Sequence, residues 1–399
     1  MNSDLSVTAS SDALSKSHID VVICGSIGAI EAPRLIRGLR RLGATVTAFM
    51  TQSSQSFITA QSVAWACGGK EVVSGFSSGS DHIAHHDALV IAPASANFIS
   101  KIAHGVADDV ASSLAMSYLG SRKPVLLLPN MHESMYESPA TQANLRKISE
   151  WGVGILSPRA EEHKFKFPDP EILADEISHA INYRPELDYV FLSMGAMRGY
   201  IDDVRYISNY STGKLGSLVA TELYRQGFAT TVACGPSEHK PRVFSAFVAT
   251  DTYEDMAEAC MTYAHQKCKA GIFMASVLDF VPKERKRGKV SSSEELGVEF
   301  RKTDKILRNI SCQNRIKVGF KLEASLSEDR ATAIAQQYCS ESDLSMIVVN
   351  ALDDIKRSHH RSLVFERADD DTITLTHKGE SKSDIVMCIL RHLKSGLRV

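Results

Sequence analysis

The feature that most constrains this chain is a repeated unit: a short apolar run, a cluster of small or polar residues, then apolar residues at helical spacing. Ile19 to Cys24 is rich in β-branched residues, Gly25 to Ala29 is small, and Leu35, Ile36, Leu39 and Leu42 follow up to Gly43. Such a stretch reads as strand, loop and helix. Thr45 to Met50 supplies a second strand, and Ala88 to Ile91, Val125 to Leu128 and Val153 to Leu156 supply three more, with helical stretches between them. Runs that are apolar at every position belong to strands covered on both faces, so the pattern predicts a doubly wound parallel sheet. The same grammar returns later: Tyr189 to Met194, Ala229 to Ala233 and Gly271 to Ala275 are apolar runs, and Leu215, Leu218, Val219 and Leu223 recur at helical spacing up to Gly227. The expected fold class is α/β, with two Rossmann-like three-layer domains.

The chain has 399 residues, enough for two domains that each bury a core. A formal charge of −2 gives no global attraction to nucleic acid or to an anionic membrane. No apolar run is long enough to span a bilayer. The first eighteen residues, rich in Ser, Asp and Ala, lack the apolar core of a signal peptide and read as a disordered tail (1–18). A first domain over 19–181 follows, ending in a helical run from Pro170 to Ile181. The polar stretch NYRPELD (182–188) reads as a linker, and a second domain occupies 189–399. Eight cysteines without any CxxC spacing argue against a zinc site or a disulfide framework and for a reducing, cytoplasmic location.

In doubly wound sheets ligands bind beyond the carboxyl ends of the strands. The first half places GSIGA, TQSS, APASAN and PNMHESMY there, and the second half places SMGAMRG, the Cys234–Pro236 turn and SVLDF there. Between the strand at 189–194 and the helix up to Gly227 lies RYISNYSTGKLG, Arg205 to Gly216. Ser211 or Thr212 is the expected helix cap, and a helix start favours an anion by roughly 0.3–1 kcal/mol. Gly213 and Gly216 permit close approach, while Lys214 and Arg205 add positive charge. No GxGxxG follows a strand, which disfavours a general NAD(P) oxidoreductase.

RYISNYSTGKLG closely resembles the RYISNxSSGxxG signature of phosphopantothenoylcysteine synthetase, the ligase half of a bifunctional coenzyme A biosynthesis family whose other half is phosphopantothenoylcysteine decarboxylase. The loops of the first half resemble, in order and context, the flavin-binding segments of the homo-oligomeric flavin-containing cysteine decarboxylases, which have a flavodoxin-like fold. That resemblance implies FMN held by Gly25, Ser26, Ile27, Thr51, Ser53, Ala94, Ser95, Ala96 and Asn97. Ser26 and Ser53 would take the phosphate, and Ala94 to Asn97 would line the isoalloxazine ring. The family's active-site histidine falls on His82, with His85 and His86 as alternatives. His132 stands where most relatives have an asparagine, as in archaeal-type members, and is read as a contact for the substrate carboxylate. Arg159 to Pro168 matches the substrate clamp but has no cysteine, so the proton donor would be another group such as His163, or solvent. Asp108 replaces an asparagine of the family.

In the second half the resemblance assigns Asn209 to the acyl-cytidylate, where its neutral amide would donate to the developing oxyanion. Asp279 would lie against nucleotide and Mg2+. Lys289 would face the triphosphate and the cysteine-dependent step, on a lid formed by KERKRGK, Lys283 to Lys289. Gly195, Ala275, Lys302 in KTDKI and Phe320 in VGF complete the CTP site, and Val348 to Ala351 resembles the family's closing strand. The implied reactions join 4'-phosphopantothenate to L-cysteine using CTP, then decarboxylate the product with FMN to 4'-phosphopantetheine. The family also implies a homo-oligomer, with trimeric flavin halves, dimeric ligase halves and a dodecamer in sum. Three matters stay open at the sequence: CTP against ATP, a decarboxylase half that serves only as a flavin-binding scaffold, and a regulatory flavoprotein. Against the last, long acidic tails are missing.

Overall fold

The computed structural model describes residues 3–76, 79–291, 295–325, 327–353, 361–368 and 370–397. In the first half, β1 (His18–Ile23), β2 (Thr45–Met50), β3 (Ala88–Ala94), β4 (Val125–Pro129) and β5 (Gly154–Ile155) form one parallel sheet in the order β2-β1-β3-β4-β5. Helices α1 (Ala32–Arg41), α2 (Ala60–Ala66) and α6 (Pro170–Asn182) cover one face, and α3 (Ala96–His104), α4 (Val110–Gly120) and α5 (Pro139–Glu150) cover the other. Leu35, Ile36 and Leu39 of α1 and Ile99 and Leu114 opposite are fully buried. Each such side chain contributes on the order of 1.5–3 kcal/mol of apolar burial. The order is that of a flavodoxin-like sheet.

The expected disordered tail is corrected: residues 3–18 are packed on this unit. The last turn of a helix leaves carbonyls without intrahelical partners. Here Ser10 and Ser11 N–H donate to Arg41 O, and Leu14 N–H donates to Leu42 O. Arg37 and Arg40 reach back to the carbonyls of Ser6 and Leu5, while Leu14 is wholly buried. A polar composition hid one apolar plug and a row of backbone donors.

In the second half, β6 (Asp188–Met194), β7 (Ala229–Cys234), β8 (Ala246–Ala249), β9 (Ala270–Phe273), β10 (Ile316–Glu323), β11 (Met346–Ala351), β12 (Ser362–Arg367) and β13 (Ile373–Gly379) form an eight-stranded sheet. Its order is β8-β7-β6-β9-β10-β11-β12-β13, parallel through β11 and antiparallel at the last two strands. Val348 to Ala351 therefore does not close the sheet, because β12 and β13 continue it. β13 alternates partly buried and exposed residues, the mark of a strand covered on one face. Helices α7 (Lys214–Arg225) and α10 (Lys382–Leu397) pack on one face, and α8 (Tyr253–Ala259) and α9 (Glu328–Ser342) on the other.

The chain separates into two compact units, Met1–Asn182 and Tyr183–Val399. The stretch read as a linker begins with the last residue of α6, includes a short 3-10 turn at Pro185–Leu187, and ends on the first residue of β6.

Candidate functional sites

Beyond the carboxyl ends of β1, β3 and β4 lies a cavity of about 590 Å3, within the ~300–1,000 Å3 usual for small-molecule sites. Gly25, Ser26, Ile27, Ser95, Ala96 and His132 line it, as the strand-end loops predict. Its floor depends on Asn130, which the sequence reading passed over. The buried Asn130 Oδ1 accepts from Ser26 Oγ at 2.8 Å and from Gly28 N at 3.3 Å, while Nδ2 donates to Phe165 O at 2.9 Å. A methyl group on Gly28 would stand 2.6 Å from that Oδ1, and one on Gly25 would stand 2.5 Å from Ser53 Oγ. Only bare backbone fits this cradle. The far wall is an antiparallel hairpin, Arg159–Glu161 and Lys164–Lys166, paired with Met131–His132. It brings Arg159, Lys164 and Lys166 to the cavity beside the apolar Phe165 and Phe167.

Thr51, Ser53, Ala94 and Asn97 do not line this cavity. Ala94 is fully buried and Asn97 is exposed on the first turn of α3, whereas Ser53 stands behind Gly25 and 3.2 Å from Thr51 Oγ1. His82 also lies outside, with Nδ1 buried and unpartnered and its ring against the edge of Phe76. His86 is at the opposite end of the sheet: its Nδ1 pairs with the buried Asp20 at 2.7 Å and its ring stacks on His18. Backbone pairing of His85 N–H to Ile83 O leaves its side chain exposed. His163 sits at the hairpin tip, 2.9 Å from Glu133 and almost fully exposed. All eight cysteines are buried, and Cys24, next to Gly25, has its thiol pushed up to about 12 by burial. None replaces the missing clamp cysteine. Asp108 ion-pairs with Lys101 at 2.6 Å.

The second unit carries a groove made of two cavities, of about 580 and 420 Å3, that share Tyr210, Ala275, Ser276, Phe320, Lys321, Leu322 and Leu352. The larger holds Asn209, Asp279, Asp304, Lys305 and Arg308. Asn209 Nδ2 donates to Val277 O at 3.1 Å, and Asp279 Oδ1 meets Lys305 Nζ at 2.5 Å. Arg308 pairs with Glu341. The smaller holds Gly195, Gly213, Lys214, Gly216, His239 and Lys382 and, among the described residues, has no carboxylate on its walls. Asn350, 8% exposed, also lines it, and its Oδ1 is buried without a hydrogen-bond partner. An orphaned buried amide beside lysines marks a place for a polar ligand.

The cap of α7 corrects the sequence reading. Neither Ser211 nor Thr212 takes that role. Gly213 is the N-cap, with φ +74° and no side-chain hydrogen bond of its own, and it lines the cavity; Thr212, one residue earlier, accepts only a long bond of 3.5 Å from Lys214 N at its Oγ1. A side chain at Gly213 would meet Ser237 Oγ at 2.7 Å and His239 O at 2.9 Å. Arg205 is spent elsewhere: its Nη1 pairs with Asp202 at 2.6 Å and donates to Val290 O at 3.1 Å.

Lys289 and Lys302 line neither cavity. Lys302 is exposed and pairs through its backbone with Phe280. Lys289 is exposed on the basic segment, which is clasped to residues 200–205. Asp203 accepts from Gly288 N at 2.7 Å and from Arg285 at 2.9 Å, Asp202 accepts from Val290 N at 3.2 Å, and Lys286 N donates to Ile201 O at 2.9 Å. Burial alone would raise the Asp202 carboxyl, but backbone N–H groups of Val204, Arg205 and Val290, together with the Arg205 guanidinium, hold it at about 2. The two serines after Ser291 and Glu294, part of the GKVSSSEEL segment, lie outside the described residues.

Fold and site together define a two-domain flavoprotein class: residues 7–182 match the family described as Flavoprotein, and 187–393 match the DNA/pantothenate metabolism flavoprotein C-terminal domain. A coenzyme A biosynthesis bifunctional protein CoaBC from Thermococcus kodakarensis is 31% identical over 344 residues, covering 84% of this chain and 85% of the relative. The Methanocaldococcus jannaschii CoaBC is 31% identical, covering 86% and 85%. A cysteine/cysteine sulfinic acid decarboxylase from an unknown prokaryotic organism is 32% identical, covering 76% and 89%. The chain belongs to the family of coenzyme A biosynthesis bifunctional proteins, CoaBC. Among the described residues no helix is long and apolar enough to cross a membrane.

Proposed function

We propose that this chain joins 4'-phosphopantothenate to L-cysteine at the expense of CTP and then decarboxylates the product to 4'-phosphopantetheine. Decarboxylase and ligase are the two activities of its family. The observation that carries the ligase reading is the segregated groove. A lysine-bearing cradle, with no carboxylate among the described residues of its walls, opens directly onto Asn209 and Asp279. The cradle suits the phosphates of a nucleotide, because a helix start and lysines favour anions. Mg2+ binds through one or two carboxylates and substrate phosphates, and Asp279 with Asp304 offers that donor set. Asn209 then donates to the oxygen that gains charge as the amine attacks the activated carboxyl. Lys289 would act on the triphosphate only when its segment leaves Asp202 and Asp203. Phe320 and Ala275 would bound the nucleotide, with Gly195 at its phosphate end and Lys302 at its edge.

The first cavity fits FMN: small residues at Gly25 to Gly28 allow backbone approach, and Ile27, Met131, Met135 and Phe165 give apolar walls for a planar ring. When bound, FMN supplies two-electron redox chemistry. Around it Ser26 and Ser95 would bind the cofactor. Ser53 and Thr51, behind Gly25, would add to the phosphate pocket, and Ala94, Ala96 and Asn97 would set the entry to α3. His132, Arg159 and Lys164 orient the substrate carboxylate. His82 would share in proton movement once its unpartnered Nδ1 is engaged. Exposed Ile27, Ile30 and Met135 on the cavity rim support self-association of the flavin-binding halves.

The test is direct: purified protein is given phosphopantothenate, cysteine, Mg2+ and either CTP or ATP, and pyrophosphate and CO2 are followed. Protein that binds no flavin and releases no pyrophosphate with either nucleotide refutes the proposal. CO2 from free cysteine without nucleotide would instead favour the activity named for the third relative. Pyrophosphate without CO2 would leave a ligase carrying a silent flavin-binding half.

A further inference from the structure

We propose that Lys382, the first residue of α10, grips the polyphosphate of the nucleotide jointly with Lys214, making the C-terminal helix part of the ligase site. This rests on the reading of the groove given above. Lys214 opens α7 and Lys382 opens α10, and both line the cavity whose walls carry no carboxylate among the described residues. Neither lysine has an ion-pair partner among the described residues. Lys321, on the same wall, is already engaged by Glu323 at 3.5 Å and stacked over Tyr338.

Asp384, in the first turn of α10, is also committed. Its Oδ2 accepts from Glu380 N at 3.0 Å and Ser381 N at 2.9 Å, and it does not line the cavity. Burial and the neighbouring Lys214 charge hold the Lys382 ammonium below its ordinary pKa. Two like charges on one space, Lys382 half-buried and Lys214 exposed, are an unfavourable arrangement that an anion between them relieves. The orphaned Asn350 Oδ1 on that wall is an independent sign of a missing ligand, and as an acceptor it fits a donor group of a nucleotide, such as a hydroxyl, rather than a phosphate oxygen. Nucleotide triphosphate and the phosphate monoester of phosphopantothenate share the anionic chemistry. Gly213, at the start of α7, lines the same cavity as both lysines, which favours the polyphosphate, because it has enough oxygens to reach all of them.

The experiment uses the full chain, Lys382→Met and Lys382→Arg, with inorganic pyrophosphate and phosphopantothenate as separate calorimetric probes. Lys382→Met should weaken pyrophosphate about tenfold, the scale of one partly exposed charge-assisted contact. It should raise the KM for CTP with little change in kcat. Removing a like-charge contact should leave the ligand-free melting temperature equal or higher, and Lys382→Arg should restore most of the pyrophosphate affinity. Phosphopantothenate should bind all three proteins alike. Equal pyrophosphate affinity in the parent and Lys382→Met overturns the inference, as does a loss confined to phosphopantothenate. A lower ligand-free melting temperature with no selective loss of pyrophosphate also overturns it, since that is a structural role. If the parent releases no pyrophosphate from CTP or ATP, the ligase reading fails, whereas the pyrophosphate titration still judges Lys382.

Discussion

Replacing Asn130 with alanine tests how the first cavity is built. Asn130 is 4% exposed and its amide ties three separate elements together: the Ser26 hydroxyl, the Gly28 N–H and the Phe165 carbonyl of the hairpin wall. A net hydrogen bond contributes about 1 kcal/mol, and a buried group left without a partner costs about 1–3 kcal/mol. Three lost bonds with partial access of water therefore come to about 3 kcal/mol. Expressed wholly in cofactor binding, that is roughly a hundredfold in Kd. Expressed in the stability of a unit of this size, it is a melting shift of about 6–12 °C. Asn130→Asp separates the two ends of the amide, because it keeps an acceptor for Ser26 and Gly28 and loses the donor to Phe165 O. Flavin retained after gel filtration, FMN fluorescence titration and thermal melting should each rank parent, Asn130→Asp and Asn130→Ala in that order. An Asn130→Ala protein that keeps stoichiometric flavin and melts with the parent refutes the reasoning.

Gly213→Ala should raise the KM for nucleotide at least tenfold without touching flavin content, since a φ of +74° costs a side chain about 1–2 kcal/mol and its Cβ would lie 2.9 Å from the His239 carbonyl; an unchanged KM counts against the cradle. Asp202 has a folded pKa of about 2 against roughly 3.9 in an unfolded chain, so its stabilisation is full above about pH 4 and is lost only as pH falls toward 2. Hydrogen exchange at Val290 N should accordingly stay protected from pH 7 to 4, and protection lost by pH 5 refutes this. Asp202→Asn should release that amide at neutral pH. Removing Mg2+ with EDTA should abolish pyrophosphate release, and Asp279→Asn should need more Mg2+ for half-maximal rate; identical Mg2+ titrations would exclude Asp279 from the metal site.

The strands were legible because burial on both faces leaves continuous apolar runs, and Thr45 to Met50 matches its observed bounds. The strand-end rule then brought Gly25 to Gly28, Ser95, Ala96 and His132 to one cavity without further information. β13 escaped because a strand covered on one side, at the edge of the sheet, has only weak alternation to betray it, and β12 escaped because its apolar run, Leu363 to Phe365, is only a few residues long. Asn130 escaped because its role depends on reaching across to Gly28 and Phe165, a contact no local spacing encodes. For the same reason Lys382, far from Lys214 in the chain, carried no signal beyond being a lysine before an apolar helix. Conversely, matched letters placed Lys289 beside the nucleotide, whereas Asp202 and Asp203 hold its segment away from the groove. Position in a motif gives identity, and the state of a mobile-looking basic run is set by its carboxylate partners.

The packed N-terminal segment has a consequence for engineering. Asn182, the last residue of the first unit, donates its side-chain amide to Ala13 O at 2.9 Å, so the segment before β1 is stitched to the helix that ends this unit. A flavin-binding half produced on its own therefore needs residues 3–18, because a cut at residue 19 removes the buried Leu14 plug and takes the N–H partners from the carbonyls of Arg41 and Leu42 at the end of α1.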